Sequence, residues 1–343
     1  MGSTANCPHV LENATLEPNS YGSQEHKVIC TFSIIIFSVT FLLGTSGNGL
    51  VIWCTTLKMK KTVIVVWLLN LAVNDFLFTL FLPFTIATTA LNRHWTFGRY
   101  MCKLNATLFN LNLFVSVLQL TIIGIERCIS VIFPMWFKNH RTPRLASFVV
   151  VAVWILAFLF SSPYFIFRDT LSIDNKTIHC DYKFDGDNSR SAITVSRGSA
   201  LFITRFILGF LIPFTIIVLC YVVTALHIQK KLIVKATKPL KIIIAVIVSF
   251  FVCWFPYQVF VLLSLSNMYT NDKHIKRVVN IGYSLTKSLT YINSCINPIL
   301  YAFVGRTFKK DFWRSIQQVF ENAFMEEATK ADFRSETKSS NAF

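Results

Sequence analysis

The sequence predicts an all-α fold: a seven-transmembrane helix bundle with an amphipathic eighth helix on the inner membrane surface. Three observations predict it. The chain of 343 residues is 53% hydrophobic, contains 33 Phe and is only 15% charged, whereas about a quarter of the residues in soluble proteins are charged. Seven apolar blocks each reach the length of about 20 residues that a helix needs to cross a bilayer. No amphipathic segments remain to cover seven such helices in a soluble core, and the alternating strands of a membrane barrel are absent.

Short polar or charged segments separate the apolar blocks, and proline falls inside five of them. Because proline removes a backbone hydrogen bond, these residues predict kinked helices around a central cavity. The blocks are residues 28–56, 63–90, 100–132, 146–166, 199–227, 241–265 and 277–303, and the prolines are Pro83, Pro163, Pro213, Pro256 and Pro298. The chain then divides into an extracellular segment (1–27), the seven-helix domain (28–303), the amphipathic helix (304–317) and a disordered cytoplasmic tail (318–343).

The charge balance indicates a membrane partner. The formal net charge is +16, from 33 Lys and Arg against 17 Asp and Glu. No basic run with interleaved aromatic residues lies outside the apolar blocks, so a nucleic-acid partner is not expected, and the basic residues are assigned to anionic lipid. The loops that follow the odd-numbered blocks are modestly richer in Lys and Arg, which places the N-terminus outside. Glycosylation sequons at Asn13 and Asn175 agree with that orientation.

Two of the nine cysteines predict a disulfide. Cys102 opens the third block on the outer side, and Cys180 lies in the outer loop before the fifth block. Both face an oxidising compartment, which favours a bond between them. A bridge from Cys7 to Cys30 is left open. No cysteine or histidine spacing indicates a metal site of the zinc type.

A series of motifs occurs in order along the seven blocks. In order and spacing it resembles the rhodopsin-like class of G-protein-coupled receptors, over residues 28 to about 316. The motifs are Gly47-Asn48, Asn70-Leu71-Ala72 with Asp75, Trp95-Thr96-Phe97-Gly98 before Cys102, Glu126-Arg127-Cys128, Trp154, Pro213 with Tyr221, Phe250 with Cys253-Trp254-Phe255-Pro256, and Asn297-Pro298-Ile299-Leu300-Tyr301. The runs 165–170, 205–210 and 293–298 are similar to the chemoattractant branch, which contains the chemerin-like and formyl-peptide receptors.

This resemblance implies a plasma-membrane receptor rather than an enzyme. The expected ligand is a chemoattractant peptide or protein, or an acidic lipid mediator. The expected partners inside the cell are a heterotrimeric G protein of the inhibitory class, and a receptor kinase and arrestin that act on the tail. Two alternatives stay open, a seven-helix transporter or channel and a non-signalling scavenger receptor of the same fold. Inverted repeats are not visible, which disfavours a transporter, and the intact Arg127 and 297–301 motifs disfavour a scavenger.

The resemblance also assigns switch residues. Glu126 is expected to pair with Arg127 in the inactive state, and Arg127 to turn towards Tyr221, Tyr301 and the G protein in the active state. Trp254, beside the kink at Pro256, is expected to transmit ligand binding through Phe250. The full set of coupling residues is Glu126, Arg127, Tyr221, Phe250, Trp254, Pro256, Asn297, Pro298 and Tyr301.

By the same analogy, the second-block carboxylate Asp75 belongs to an allosteric sodium site; in the alternatives it is a satisfied core carboxylate or is protonated. Oxygen ligands suit a hard cation, and a cation would neutralise a buried carboxylate. The expected ligands are Asp75, Asn112, Ser116, Asn293 and Asn297. No other cofactor is expected.

Two cations inside the apolar blocks indicate the chemistry of the ligand. Lipid solvates neither Arg205 nor Lys287, so each needs a partner, water or an anion. In one alternative Arg205 reaches the outer surface; in another Lys287 bonds to a neighbouring tyrosine or loses its proton. Convergence of both cations on one cavity instead predicts an acidic ligand, held bidentately by Arg205. The expected ligand site is Arg205, Lys287, Phe109, Asn110, Trp254, Tyr257, Gln258, Tyr283 and Tyr291.

The resemblance also narrows the ligand. Biogenic-amine receptors carry an Asp in the outer part of the third block, where this chain has Phe109-Asn110. Formyl-peptide receptors carry an acidic residue at the position of Asn110 and a second arginine at the position of Leu201. Neither an amine nor a formyl-methionine ligand is therefore expected.

Overall fold

The computed structural model describes residues 20–174, 177–184, 192–230, 238–270 and 273–304. Over these residues every predicted apolar block is a helical span. In chain order the helices are α1 (Ser20–Leu57), α2 (Val63–Leu80), α3 (Leu82–Ala90), α4 (Gly98–Ile132), α5 (Pro134–His140), α6 (Pro143–Phe167), α7 (Ala192–Phe206), α8 (Ile212–Lys230), α9 (Lys238–Thr270) and α10 (Lys273–Val304). The first to seventh spans are α1, α2 with α3, α4, α6, α7 with α8, α9, and α10.

Several predictions lie outside the described residues. These are the two sequons at Asn13 and Asn175, Cys7, the amphipathic helix at 304–317 and the tail at 318–343.

The surface of the spans fits a lipid environment. Six helical segments of the described chain are long and apolar enough to cross a membrane: Lys27–Leu57, Val63–Ala90, Gly98–Ile132, Pro143–Phe167, Ile193–His227 and Ile244–Ser266. Large apolar side chains point away from the bundle, with Leu42 65%, Phe148 74% and Val252 64% exposed. Such a surface is stable only where apolar groups surround it.

The third span forms the centre of the bundle. It contacts the second, fourth and fifth spans, and its middle side chains, such as Phe114, are almost fully buried. Polar residues tie it to two neighbours. The Trp154 indole Nε1 of the fourth span donates to Asn70 Oδ1 of the second span at 2.6 Å, and the Asn70 amide donates to Gln119 of the third. With no water in the hydrocarbon layer, such internal partners are required.

Prolines shape the second and fifth spans. The second span breaks at Phe81 (φ −90°, ψ 0°), two residues before Pro83 in the first turn of α3. In the fifth span a π-helical turn, Ile207–Leu211, precedes Pro213 and accommodates its missing N–H donor. Gly209 in this turn allows close packing, because a Cβ there would lie 3.2 Å from Leu113 of the third span.

A β-hairpin covers one end of the bundle, which we call the hairpin end. Strands β1 (Arg168–Asp174) and β2 (Thr177–Tyr182) pair antiparallel. The disulfide Cys102–Cys180 joins β2 to the start of α4, as predicted. The backbone N–H of Trp95 donates to the Ile178 carbonyl at 2.8 Å, which attaches the loop before α4 to the same strand. The sequence analysis found only a polar stretch here and missed both strands.

Gly44 and Gly49 on the first span form a matched pair for a packing test. An added Cβ at Gly44 would lie 2.6 Å from Cγ2 of Thr79, whose side chain is fully buried, whereas a Cβ at Gly49 would lie 3.4 Å from the Phe76 ring. We expect Gly44→Ala to destabilise the protein by about 1–3 kcal/mol through overpacking, and Gly49→Ala to leave it near wild type. Thermal denaturation of the detergent-solubilised protein measures both, and equal melting temperatures would contradict this packing.

Candidate functional site

Phe109 of the third span is the hub of an aromatic cluster in the half of the bundle near the hairpin end. Its ring centroid lies 5.6 Å from that of Trp254, 5.5 Å from Tyr257 and 5.9 Å from Tyr291. Phe78 of the second span adds a contact at 5.8 Å. The structure therefore brings predicted wall residues of the third, sixth and seventh spans together around one ring.

Arg205 of the fifth span points into this cluster. Its guanidinium carbon lies 4.9 Å from the Tyr257 ring centroid and 5.7 Å from that of Phe109. The residue is only 2% exposed, so the alternative in which it reaches the surface is wrong. The phenols of Tyr257, Tyr164 and Tyr182 lie within electrostatic range of the guanidinium.

Two nitrogen atoms of Arg205, Nε and Nη2, are buried without a hydrogen-bond partner. Within the described part of the chain, no carboxylate forms an ion pair with this guanidinium. A buried charged group normally has such a partner. Arg205 is thus a preformed donor for an anion.

Lys287 of the seventh span approaches the same ring. Its Nζ lies 5.9 Å from the Phe109 centroid, and its side chain is partly exposed. The neighbouring hydroxyls of Tyr283 and Tyr257 are hydrogen-bonded at 3.0 Å. Two cations therefore share one aromatic ring, which concentrates positive potential at this position.

Other predicted site residues supply polar atoms that lack partners. Asn110 donates from Nδ2 to the carbonyl of Ala106 at 2.8 Å, and this leaves its Oδ1 buried and unpaired. Gln258 Nε2 and the indole Nε1 of Trp254 are also buried and unpaired. Buried polar atoms without partners are unusual, and they favour a bound group at this position.

Asp75 forms a second polar centre, deeper in the bundle. The carboxylate is fully buried and accepts three hydrogen bonds. Asn112 Nδ2 and Ser294 Oγ donate to Oδ1 at 3.0 and 2.8 Å, and Asn297 Nδ2 donates to Oδ2 at 2.8 Å. The centre therefore links the second, third and seventh spans.

The surroundings of Asp75 match only part of the predicted sodium site. Ser116 Oγ accepts from Asn74 at 2.9 Å, and no hydrogen bond joins it to the carboxylate. The amide oxygens of Asn112, Asn293 and Asn297 are buried without partners. A buried carboxylate with unpaired amide oxygens on neighbouring residues is the kind of donor set that fits a hard cation.

The predicted pair between Glu126 and Arg127 is wrong for this structure. Glu126 Oε1 accepts from Arg141 Nε at 2.5 Å, and Oε2 accepts from the Trp67 indole at 3.0 Å. Within the described residues the Arg127 guanidinium forms no ion pair, and its Nε is buried and unpaired. Glu126 pairs with Arg141 rather than with the adjacent Arg127, because side chains of successive residues on a helix point in different directions.

We call the end of the bundle that contains Glu126 and Arg127 the Arg127 end. The other predicted switch residues lie between this end and the aromatic cluster. Tyr221 lies within electrostatic range of Arg127, and its hydroxyl is buried without a partner. The rings of Phe250 and Trp254 are 5.9 Å apart. Pro256 and Pro298 lie inside their helices, and the Tyr301 side chain lies outside the described residues.

Two functional contacts were missed by the sequence analysis. Ser294 lies three residues before Asn297, so helical spacing alone could have placed both on the face towards Asp75. Arg141 reaches Glu126 from beyond the short helix α5. No sequence spacing indicates that contact.

The chain is similar in sequence to known seven-transmembrane receptors. The family described as 7 transmembrane receptor (rhodopsin family) matches residues 47–301. Chemerin-like receptor 1 of Rattus norvegicus is 44% identical over 299 residues, which cover 84% of this chain and 79% of that protein. N-formyl peptide receptor 2 of Pongo pygmaeus is 39% identical over 319 residues, 91% of each chain. N-formyl peptide receptor 3 of Homo sapiens is 39% identical over 308 residues, 88% of this chain and 87% of its own.

Ser294 and Ser284 on the seventh span provide a test of the Asp75 centre. The Ser294 hydroxyl donates to a buried carboxylate, whereas the Ser284 hydroxyl bonds only to the Asn280 carbonyl of its own helix at 3.1 Å. We expect Ser294→Ala to cost about 1–2 kcal/mol of stability, because hydrogen bonds to charged groups are stronger than neutral ones. Ser284→Ala serves as the control. Equal melting temperatures of the two variants would show that Ser294 does not stabilise Asp75.

Proposed function

The chain belongs to the rhodopsin family of seven-transmembrane receptors, and we propose that it is a chemoattractant receptor whose ligand presents a free carboxylate. As a member of that family it is a multi-pass receptor of the plasma membrane that couples an extracellular ligand to a G protein, and it is not an enzyme.

The hairpin end faces the outside of the cell, with the N-terminus on the same side. The disulfide Cys102–Cys180 supports this orientation, because disulfides persist in oxidising compartments. The opposite end carries basic residues in its loops, including Lys58, Lys60 and Lys61. Positive charge in short loops marks the cytoplasmic side.

Arg205 is the observation that carries the ligand assignment. A guanidinium that is buried and lacks a carboxylate partner binds a ligand carboxylate bidentately, since its planar fork matches the two oxygens. Lys287 adds positive potential at the same ring. A peptide C-terminus and a lipid acid both carry this group, and the relatives named for chemerin-like and formyl-peptide recognition favour the peptide.

Formyl peptides themselves are not proposed. The formyl-peptide relatives were expected to carry an acidic residue and a second arginine where this chain has Asn110 and Leu201. Asn110 is neutral and buried, and Leu201 contributes to the apolar core. On that expectation, the polar pattern of the site differs from the formyl-peptide type.

The signal passes from the ligand through packed rings. Phe109 contacts both Arg205 and Trp254, and Trp254 contacts Phe250 one helical turn nearer the Arg127 end. A ligand that pulls on Arg205 shifts Phe109 and Trp254, and Pro256 gives the sixth span a place to bend. The partner at the inner face is a G protein of the inhibitory class, and a receptor kinase and arrestin act on the tail.

Arg127 is poised for that partner because Glu126 is already engaged elsewhere. Arg141 and Trp67 hold the Glu126 carboxylate, and they leave the Arg127 guanidinium available beside Tyr221. In this arrangement the restraint on Arg127 comes from packing of the spans rather than from a charge pair. A sodium ion at Asp75 adds a second restraint, because its ligands come from the second, third and seventh spans and hold these spans in one arrangement.

The charge of the ligand provides the first functional test. An acidic agonist is identified from a panel of chemotactic peptides and lipid acids by its calcium response in transfected cells. We expect its amide or ester to lose potency, and Arg205→Ala to lower the potency of the acid about 30-fold, equivalent to about 2 kcal/mol. Arg205→Lys should restore only part of the potency, because the fork geometry is lost.

Arg197→Ala is the matched control for that test. Arg197 lies on the same helix, but its guanidinium donates to the Phe184 carbonyl at 2.6 Å, away from the Phe109 ring. The acid should keep most of its potency at this variant. If acid and amide are equally potent at the wild-type receptor, or if both arginine variants behave alike, Arg205 does not bind a carboxylate.

The sodium proposal is tested with Asp75→Asn. Agonist affinity is measured in membranes while NaCl replaces choline chloride at constant ionic strength. In the wild type, sodium should lower agonist affinity about five-fold or more, because it binds the inactive state preferentially. Asp75→Asn should abolish the difference. Equal sodium dependence of agonist affinity in the wild type and the variant would exclude Asp75 as a residue that binds sodium.

A further inference from the structure

The third and fifth spans approach each other closely at Gly124. A Cβ on Gly124 would lie 3.6 Å from Cγ1 and 4.0 Å from the Cα of Ile217, and 4.0 Å from the Tyr221 ring. Ile217 is only 3% exposed, so this contact is fully packed. The missing side chain of a glycine lets the two helix backbones come together here.

Two cysteines follow this contact at the same depth. Both spans start at the hairpin end and run in the same direction. Cys128 lies four residues beyond Gly124, and Cys220 lies three residues beyond Ile217, so the two advance by about 6 and 4.5 Å. The Cys220 and Cys128 thiols lie within range of electrostatic interaction with each other.

The burial of these two cysteines differs from that of the cysteines on the sixth and seventh spans. Both cysteines are partly exposed, whereas Cys253 and Cys295 are buried. In sequence Cys128 follows Arg127, and Cys220 precedes Tyr221. The pair therefore lies at the Arg127 end, each cysteine one residue from Arg127 or Tyr221 in the chain.

We propose that Cys128 and Cys220 form a modification site, a dithiol that hydrogen peroxide converts to a disulfide between the third and fifth spans. One thiol attacks the peroxide, so that an S–O bond forms, the O–O bond breaks and water leaves. The second thiol attacks the resulting sulfenic acid, and the S–S bond forms with loss of a second water. Overall, two thiols are oxidised and one peroxide is reduced to two waters.

The bond is reversible on the cytoplasmic side. Glutathione and thioredoxin keep thiols reduced there, so the dithiol is the resting form and the disulfide forms under peroxide. A covalent link would fix the fifth span against the third beside Arg127 and Tyr221. This regulatory consequence rests on the proposed receptor function, whereas the chemistry of the pair does not.

The test uses membranes from cells that express the full chain. Membranes are treated with hydrogen peroxide, the remaining thiols are alkylated, and the protein is digested without reduction for peptide mass mapping. We expect a peptide that links Cys128 to Cys220 and disappears with dithiothreitol, with Cys102–Cys180 as the internal reference. Peroxide should also raise the melting temperature of the wild type.

Three variants make the result specific. Cys128→Ser and Cys220→Ser should lose both the linked peptide and the rise in melting temperature, each relative to its own reduced sample. Cys30→Ser, on the first span, should keep both. Peroxide that leaves both cysteines as thiols, oxidises each separately, or links either to another cysteine would overturn the proposal. Because the readout needs neither ligand nor G protein, these outcomes are independent of those that test the ligand.

Discussion

The structure depends on one constraint: in the hydrocarbon layer a buried polar group must find its partner inside the bundle. Asp75 meets this constraint with donors from Asn112, Ser294 and Asn297. The backbone of Ser294 also accepts from Asn48 Nδ2 at 2.9 Å, which brings the first span into the same network. Because lipid is as apolar as the outer side chains of the spans, the hydrophobic effect does not drive the spans together. Polar contacts such as these therefore help to hold the bundle together.

Arg205 departs from this rule, and the departure locates the ligand site. Among the described residues its guanidinium has aromatic neighbours and unpaired nitrogens, but no carboxylate. A protein that buries a cation in this way needs an anion from elsewhere. Because Phe109 contacts both Arg205 and Trp254, the same ring that senses the ligand begins the chain of contacts towards the Arg127 end. Ligand charge and receptor activation are thereby coupled through packing.

The sequence predicted the spans, because hydropathy and helical spacing are local properties. It assigned Arg205, Lys287, Phe109 and Tyr257 to one ligand site, because cations inside apolar blocks need an anion, and the structure places these residues around the Phe109 ring. The hairpin was missed, since charged residues such as Arg168 interrupt the alternation that marks a strand. The partner of Glu126 was missed because it depends on how α5 returns the chain to the bundle, which no spacing encodes.

The most direct test is a structure of the receptor bound to its acidic agonist. The ligand carboxylate is predicted to lie at hydrogen-bonding distance, about 2.7–3.2 Å, from two nitrogens of Arg205. Phe109 and Trp254 should be displaced from their positions in the unbound receptor. A carboxylate bound elsewhere, with Arg205 still packed between Phe109 and Tyr257, would contradict the account.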